Sequence, residues 1–61
     1  MKIDEKELAV YVGKRIRYFR KKKGLTQKEL GELIGKTHNT VSNYETGTIS
    51  PEQDALFAIS R

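Results

Sequence analysis

Apolar residues recur at helical spacing through the first third of the chain: between Asp4 and Lys23, Leu8, Val12, Ile16 and Phe19 fall three or four residues apart, with Tyr11 beside them. This pattern predicts a first helix that turns that row toward a core. Gly24 follows where a left-handed cap ends a helix. Arg20 continues the same row, so its guanidinium must either snorkel past the helix end or find an acidic partner.

Thr26-Gln27-Lys28-Glu29 has the form of a capping box, in which a threonine hydroxyl and a glutamate carboxylate satisfy reciprocal backbone donors. Leu30, Leu33 and Ile34 then give a short second helix, Gln27 to Ile34, an apolar face, and Gly35 ends it. Two turns of helix do not hold alone, so this one depends on what packs against it. Thr37 caps a third helix, Thr37 to Glu45, in which only Val41 and Tyr44 are apolar and the other face carries small hydrogen-bonding side chains. Tyr44 and Phe19 read as core residues, since each sits on an apolar stripe. Ser50 as cap, Pro51 as first helical residue and Gln53 as partner of a second capping box open a fourth helix, with Leu56 and Ile59 inward and Phe57 at the edge. The chain stops at Arg61 without a capping glycine, the mark of an N-terminal fragment of something longer.

With 61 residues and no cysteine, the chain holds one domain, spanning 1–61, without disulfides or a cysteine-based metal site, and a single histidine argues against zinc. No cofactor or metal is expected. No apolar run approaches the roughly 20 residues of a bilayer span, and nothing near Met1 resembles a signal peptide, which suits the cytoplasm. The net charge is +4, but Lys14, Arg15, Arg17, Arg20, Lys21, Lys22 and Lys23 contribute seven positive charges without an acid among them. The rest of the chain is therefore net negative. A concentrated basic segment on such a body is the footprint of a polyanion binder or of a solvated helix face.

The segment from Gln27 to Thr46 is the most informative: a short helix, a glycine turn and a second helix with a polar outer face. Gly31 lies where the two would cross, and Leu30, Ile34, Val41 and Tyr44 are spaced to pin them at the steep angle of a helix-turn-helix. With Gly13-Lys14-Arg15-Ile16-Arg17, Gly24-Leu25-Thr26-Gln27-Lys28-Glu29-Leu30-Gly31, Tyr44-Glu45-Thr46-Gly47 and Pro51, the chain resembles the Cro/repressor-type helix-turn-helix family of phage repressors and bacterial regulators from about Val12 to Ser60.

The resemblance implies an all-α, lambda-repressor-like fold: a compact bundle of four helices around a central helix-turn-helix, the family's fifth helix falling after Arg61. It implies that the third helix enters the major groove, from a homodimer held by residues beyond this chain and bound to double-stranded DNA at a palindromic operator. It also implies that Arg20 and Glu45 pair as a buried bridge. Thr37, His38, Asn39 and Asn43 are then the candidates for base contacts: asparagine matches adenine N6 and N7, a threonine methyl meets thymine, and histidine donates to guanine. Gln27, at a helix start with free backbone donors, is the leading phosphate candidate. Thr26, already explained as a cap, and Thr46 are further candidates. Thr40 and Ser42 touch phosphate or nothing, and Arg17 belongs to the general field of the basic run.

Two departures stand out. Lys36 occupies a position where the family has an apolar residue, which suggests a looser corner or a DNA contact. Gly47-Thr48-Ile49-Ser50 lacks the basic residues common in that loop. The expected function is a sequence-specific transcriptional regulator, a repressor, located in the cytoplasm with the bacterial nucleoid. The alternative is a protein-binding module or antitoxin component, for which the third helix lacks apolar anchors. A membrane-surface role conflicts with the core's need for the apolar row of the first helix. No acid pair, activated nucleophile or phosphate-cradling loop suggests an enzyme.

Overall fold

Local capping decides where the first three helices begin. In the computed structural model, which describes Lys2 and residues 4–61, Asp4 accepts a hydrogen bond from the Glu7 amide at 2.7 Å and opens α1, Glu5–Lys22. Thr26 and Glu29 form the expected reciprocal box, with Thr26 N donating to Glu29 Oε1 at 2.8 Å and Glu29 N to Thr26 Oγ1 at 3.1 Å, at the start of α2, Gln27–Ile34. Thr37 accepts from the Thr40 amide at 3.2 Å and opens α3, His38–Thr46. Met1 and Ile3, which the expected domain boundary takes in, lie outside the described residues.

The fourth helix departs from expectation. It runs Gln53–Ser60 as α4, with Glu52 at the cap and no side-chain cap hydrogen bond, so neither Ser50 nor Gln53 forms a capping box. Ser50 and Pro51 stay outside the helix. A proline disfavours helical backbone in the residue before it, which keeps Ser50 out of the helix, and the first-turn amide of Ala55 is taken instead by the Asp54 carboxylate at 2.8 Å.

The turn between α2 and α3 depends on two glycines. Gly35 adopts φ +73°, the left-handed conformation that costs other residues roughly 1–2 kcal/mol, and the next amide, Lys36 N, closes back on Gly31 O at 2.8 Å. Gly31 is buried, and a Cβ there would lie 2.6 Å from Lys36 O. The absent side chain therefore lets the turn fold onto α2, with Lys36 half-buried beside it.

Ile16, Leu30, Val41, Tyr44, Ala55 and Ile59 form the core, with Val12, Leu25 and Ile34 packed against it. The helix α3 packs on both α1 and α2, and α4 packs on α2. A radius of gyration of 11.0 Å lies near the roughly 10.5 Å of a compact chain of this length. The expected all-α bundle of four helices around a central helix-turn-helix is the architecture found.

Which residues face the core differs from the apolar pattern. Helix α1 buries Ala9, Gly13 and Ile16, whereas Leu8 is 52% exposed and Phe19, read as core, 37%. The cause is the closeness of α1 to α3. A Cβ on Gly13 would come within 2.7 Å of Glu45 O and nearer still to Tyr44 O. Only small residues fit that crossing, and the bulky ones are displaced to its flanks. On α2 and α4, Leu33 and Phe57 stand in solvent, and Leu56 is only partly covered. Among the described residues, no helix is long and apolar enough to cross a membrane.

Candidate nucleic-acid interface

The helix α3 divides into an anchored face and an open one. Val41, Tyr44 and Glu45 are buried, Val41 completely. Thr37, His38, Asn39 and Asn43 are exposed, and Thr40 and Ser42 are half-buried between them. Nine residues of modest helix propensity are thus held in place by burial, and the side chains of His38, Asn39 and Asn43 on the outer face make no hydrogen bond within the domain among the described residues.

Glu45 is the centre of the anchoring. Its Oε2 accepts from Arg20 Nε at 2.6 Å and its Oε1 from Arg20 Nη2 at 3.0 Å, a two-pronged contact, while Gln27 Nε2 donates to Oε1 at 3.2 Å. Arg20 Nη1 donates to Leu25 O at 2.9 Å. The side chains of Arg20 and Glu45 retain only 11% and 4% of their accessible surface. The hydrogen bond to Glu45 raises the Arg20 pKa above its ordinary value, against the opposing effect of burial, so the guanidinium stays charged at any working pH. The network ties the end of α1, the loop at Leu25, the start of α2 and the last turn of α3 together. Its geometric effect is to fix the start of α2 relative to the outer face of α3.

Those two helix starts share one side of the molecule. Thr26, Gln27, Lys28 and His38, with Arg20 beneath, line an open groove between them. Among the described residues no hydrogen bond reaches the backbone amides of Gln27 or Lys28, so both are available at the positive end of α2. Lys28 was not singled out from the sequence, although a signal existed: a cation in the first turn opposes the helix dipole, an arrangement that becomes favourable once an anion sits at that end.

The structure also qualifies several side chains. Gln27 spends one amide donor on Glu45 and keeps its carbonyl and second N–H for other partners. The Thr37 hydroxyl is engaged with Thr40, both its amide and, at 3.1 Å, its hydroxyl, leaving the Thr37 methyl as its free contact group. Thr46 bonds Asn43 O at 3.3 Å and Thr48 Oγ1 at 2.8 Å. Arg17 is exposed on α1, and Arg17, Asn39, Asn43 and Thr46 lie outside the groove lining. At the end of α3, Gly47 takes φ +79° and lies so close to Val10 that a Cβ would come 2.9 Å from Val10 Cγ2.

Residues 16–61, from the middle of α1 through α4, match the family model described as Helix-turn-helix. The chain belongs to the helix-turn-helix family. Relatives in this family include the HTH-type transcriptional regulator ImmR of Bacillus subtilis, 41% identical over 49 residues, which covers 80% of this chain and 39% of that protein. The HTH-type transcriptional regulator DicA of Escherichia coli is 40% identical over 50 residues, 82% of this chain and 37% of that protein. Multiprotein-bridging factor 1 of Candida albicans is 39% identical over 56 residues, 92% of this chain and 37% of its own length. The chain thus spans under two fifths of the length of these helix-turn-helix relatives.

Proposed function

We propose that the chain is the sequence-specific DNA-binding domain of a transcriptional regulator, a repressor, that reads the major groove of its operator with α3. The observation that carries this reading is the division of α3: an inner face locked by Val41, Tyr44 and the Arg20–Glu45–Gln27 network, and an outer face of exposed Thr37, His38, Asn39 and Asn43. A rigid helix presenting short amide, imidazole and methyl groups suits base edges, because the backbone is already placed and short side chains have little rotamer freedom to lose. Membership of the helix-turn-helix family and two regulators among the relatives support the DNA-binding part of the reading.

In the proposed complex, the free amides of Gln27 and Lys28 and the Lys28 ammonium hold one phosphate at the start of α2, which sets the register. His38, Asn39 and Asn43 then meet bases, with the Thr37 methyl against a thymine. Thr26, Thr40, Ser42, Thr46 and Arg17 supply peripheral phosphate contacts or field. The operator is palindromic and bound by a homodimer, and the regulator works in the cytoplasm. The multiprotein-bridging relatives favour a second reading, a module that joins other proteins. The polar outer face of α3 speaks against that use of this helix, because protein interfaces are built around aromatic or aliphatic anchors.

Titration of the chain against a selected duplex and random duplexes at several salt concentrations tests the proposal. Sequence-specific binding exceeds non-specific binding by about 10³-fold or more at physiological salt. Affinity that tracks salt alone, with no preference among sequences, would overturn the reading.

A further inference from the structure

The outward face of α1 carries a stripe that the fold leaves uncovered. Leu8, Tyr11, Arg15, Tyr18 and Lys22 alternate at three- and four-residue intervals, the a and d positions of a heptad repeat, while the residues α1 buries, Ala9, Gly13 and Ile16, lie on the opposite side. Leu8, Tyr11 and Tyr18 are 52%, 63% and 53% exposed. Side chains along the stripe also lie against one another. The Arg15 guanidinium lies 5.6 Å from the Tyr18 ring centroid and 5.2 Å from that of Phe19, the two rings meet edge to face at 5.7 Å, and Lys22 Nζ lies 5.9 Å from Tyr18.

Charge along the stripe is polarised. Asp4, Glu5 and Glu7 cluster at the start of α1, and Lys14, Arg15, Lys21 and Lys22 follow in its second half. A helix that is acidic at one end and basic at the other complements itself only when reversed. We infer that this face is the contact between two copies of the chain, an antiparallel α1–α1 pair about a two-fold axis. In the a-to-d pairing of such a pair, Leu8 meets the second copy's Tyr18, Tyr11 meets its Arg15, and Asp4 meets its Lys22, each twice by symmetry. The flanking positions place Glu7 opposite Lys21. Lys14 meets its own counterpart near the axis and is the one like-charged meeting.

One helix pair buries far less than the roughly 1,200–2,000 Å² of a standard interface, so the free dimer is weak, with Kd on the order of 0.1–1 mM. Two copies on neighbouring half-sites of one DNA molecule see each other at a comparable effective concentration, and the contact then contributes cooperativity. The contact is independent of base reading by α3 and is tested without DNA, so its failure leaves the proposed function untouched.

Sedimentation equilibrium of the 61-residue chain from about 20 μM to about 2 mM in low salt should show a monomer–dimer equilibrium. Glu7→Lys and Lys21→Glu should each weaken association roughly fivefold to twentyfold, since each replaces two attractive pairs by two repulsive ones. The double reversal should restore it, and Lys14→Gln should strengthen it. All three positions are exposed, and circular dichroism melts close to that of the parent chain will show that folding is intact. A parent chain that stays monomeric to 2 mM, or folded single reversals that associate like the parent, or a folded double reversal that remains as weak as the singles, would each overturn the inference.

Discussion

Replacing Glu45 by glutamine removes one charge from the most heavily bonded carboxylate in the domain while preserving its shape. Glu45 accepts from Arg20 Nε at 2.6 Å, from Arg20 Nη2 at 3.0 Å and from Gln27 Nε2 at 3.2 Å. A glutamine offers one acceptor oxygen and turns an NH2 group toward one of those donors, so at least one hydrogen bond becomes a donor–donor clash. Arg20, 11% exposed, keeps its bond to Leu25 O and at most one neutral hydrogen bond to the glutamine oxygen, and loses the opposite charge. Leaving a buried charge without its partner costs about 3–5 kcal/mol, and the surviving bond puts this case near 3 kcal/mol. A domain of this size has roughly 3–9 kcal/mol of total stability. The substitution therefore consumes between a third and all of it and lowers Tm by about 12–24 °C. Thermal and urea denaturation at pH 7, followed by circular dichroism, measure the change. Replacing both members, Arg20→Met with Glu45→Met, should fall closer to the parent chain than either single variant, because no unpaired charge remains. A Glu45→Gln variant melting within about 4 °C of the parent would show that Arg20 reaches water and that the network contributes little.

Three other substitutions test separate links. Gly13→Ala sets a helix-propensity gain of about 1 kcal/mol against a Cβ that would lie 2.7 Å from Glu45 O, where only separation of α1 from α3 can relieve the contact. Overpacking of about 1–3 kcal/mol prevails, so the urea midpoint should fall, and a rise would mean that the crossing is looser than described. Asn39→Ala should cost about 1–3 kcal/mol at one operator position and relax preference there, measured by binding to duplexes varied one base pair at a time; a uniform loss across all sequences would make Asn39 a backbone contact. Glu29 has its pKa lowered, first by the Thr26 amide and then by the Thr26 hydroxyl, so its stabilising effect is fully present above the ordinary carboxylate range and is lost as pH falls through the depressed value. The Tm difference between the parent chain and Glu29→Ala should therefore be present at pH 7 and shrink as pH drops below about 4. A difference that persists unchanged at low pH would exclude the charge as its source.

Much of the framework was legible in the sequence because it is encoded locally. A helix start needs an oxygen within three residues of an orphan amide, and Thr26 with Glu29, and Thr37, supply it. Gly35 and Gly47 end α2 and α3 where the chain must take positive φ. These signals need no knowledge of what packs against what. The same locality misled at α4, where Ser50 and Gln53 spell a capping box that the structure does not form.

Tertiary structure decided the rest. The apolar row of α1 correctly placed Ile16 in the core and Val12 against it, but Leu8 and Phe19 lie largely outside, and Ala9 and Gly13 are buried instead, because a close helix crossing rewards small side chains that carry almost no hydrophobic signal. Gln27 reads as a phosphate contact from its place at a helix start, and only the fold shows its amide also bound to Glu45, 18 positions away. Lys28 joins Thr26, Gln27 and His38 in one groove by the approach of two helix starts that no spacing rule predicts. Caps and periods are properties of a few consecutive residues, and the sequence determines them alone. Which face is buried, which donor is already spent and which side chains converge are properties of the distances between helices, and those exist only once the chain has packed.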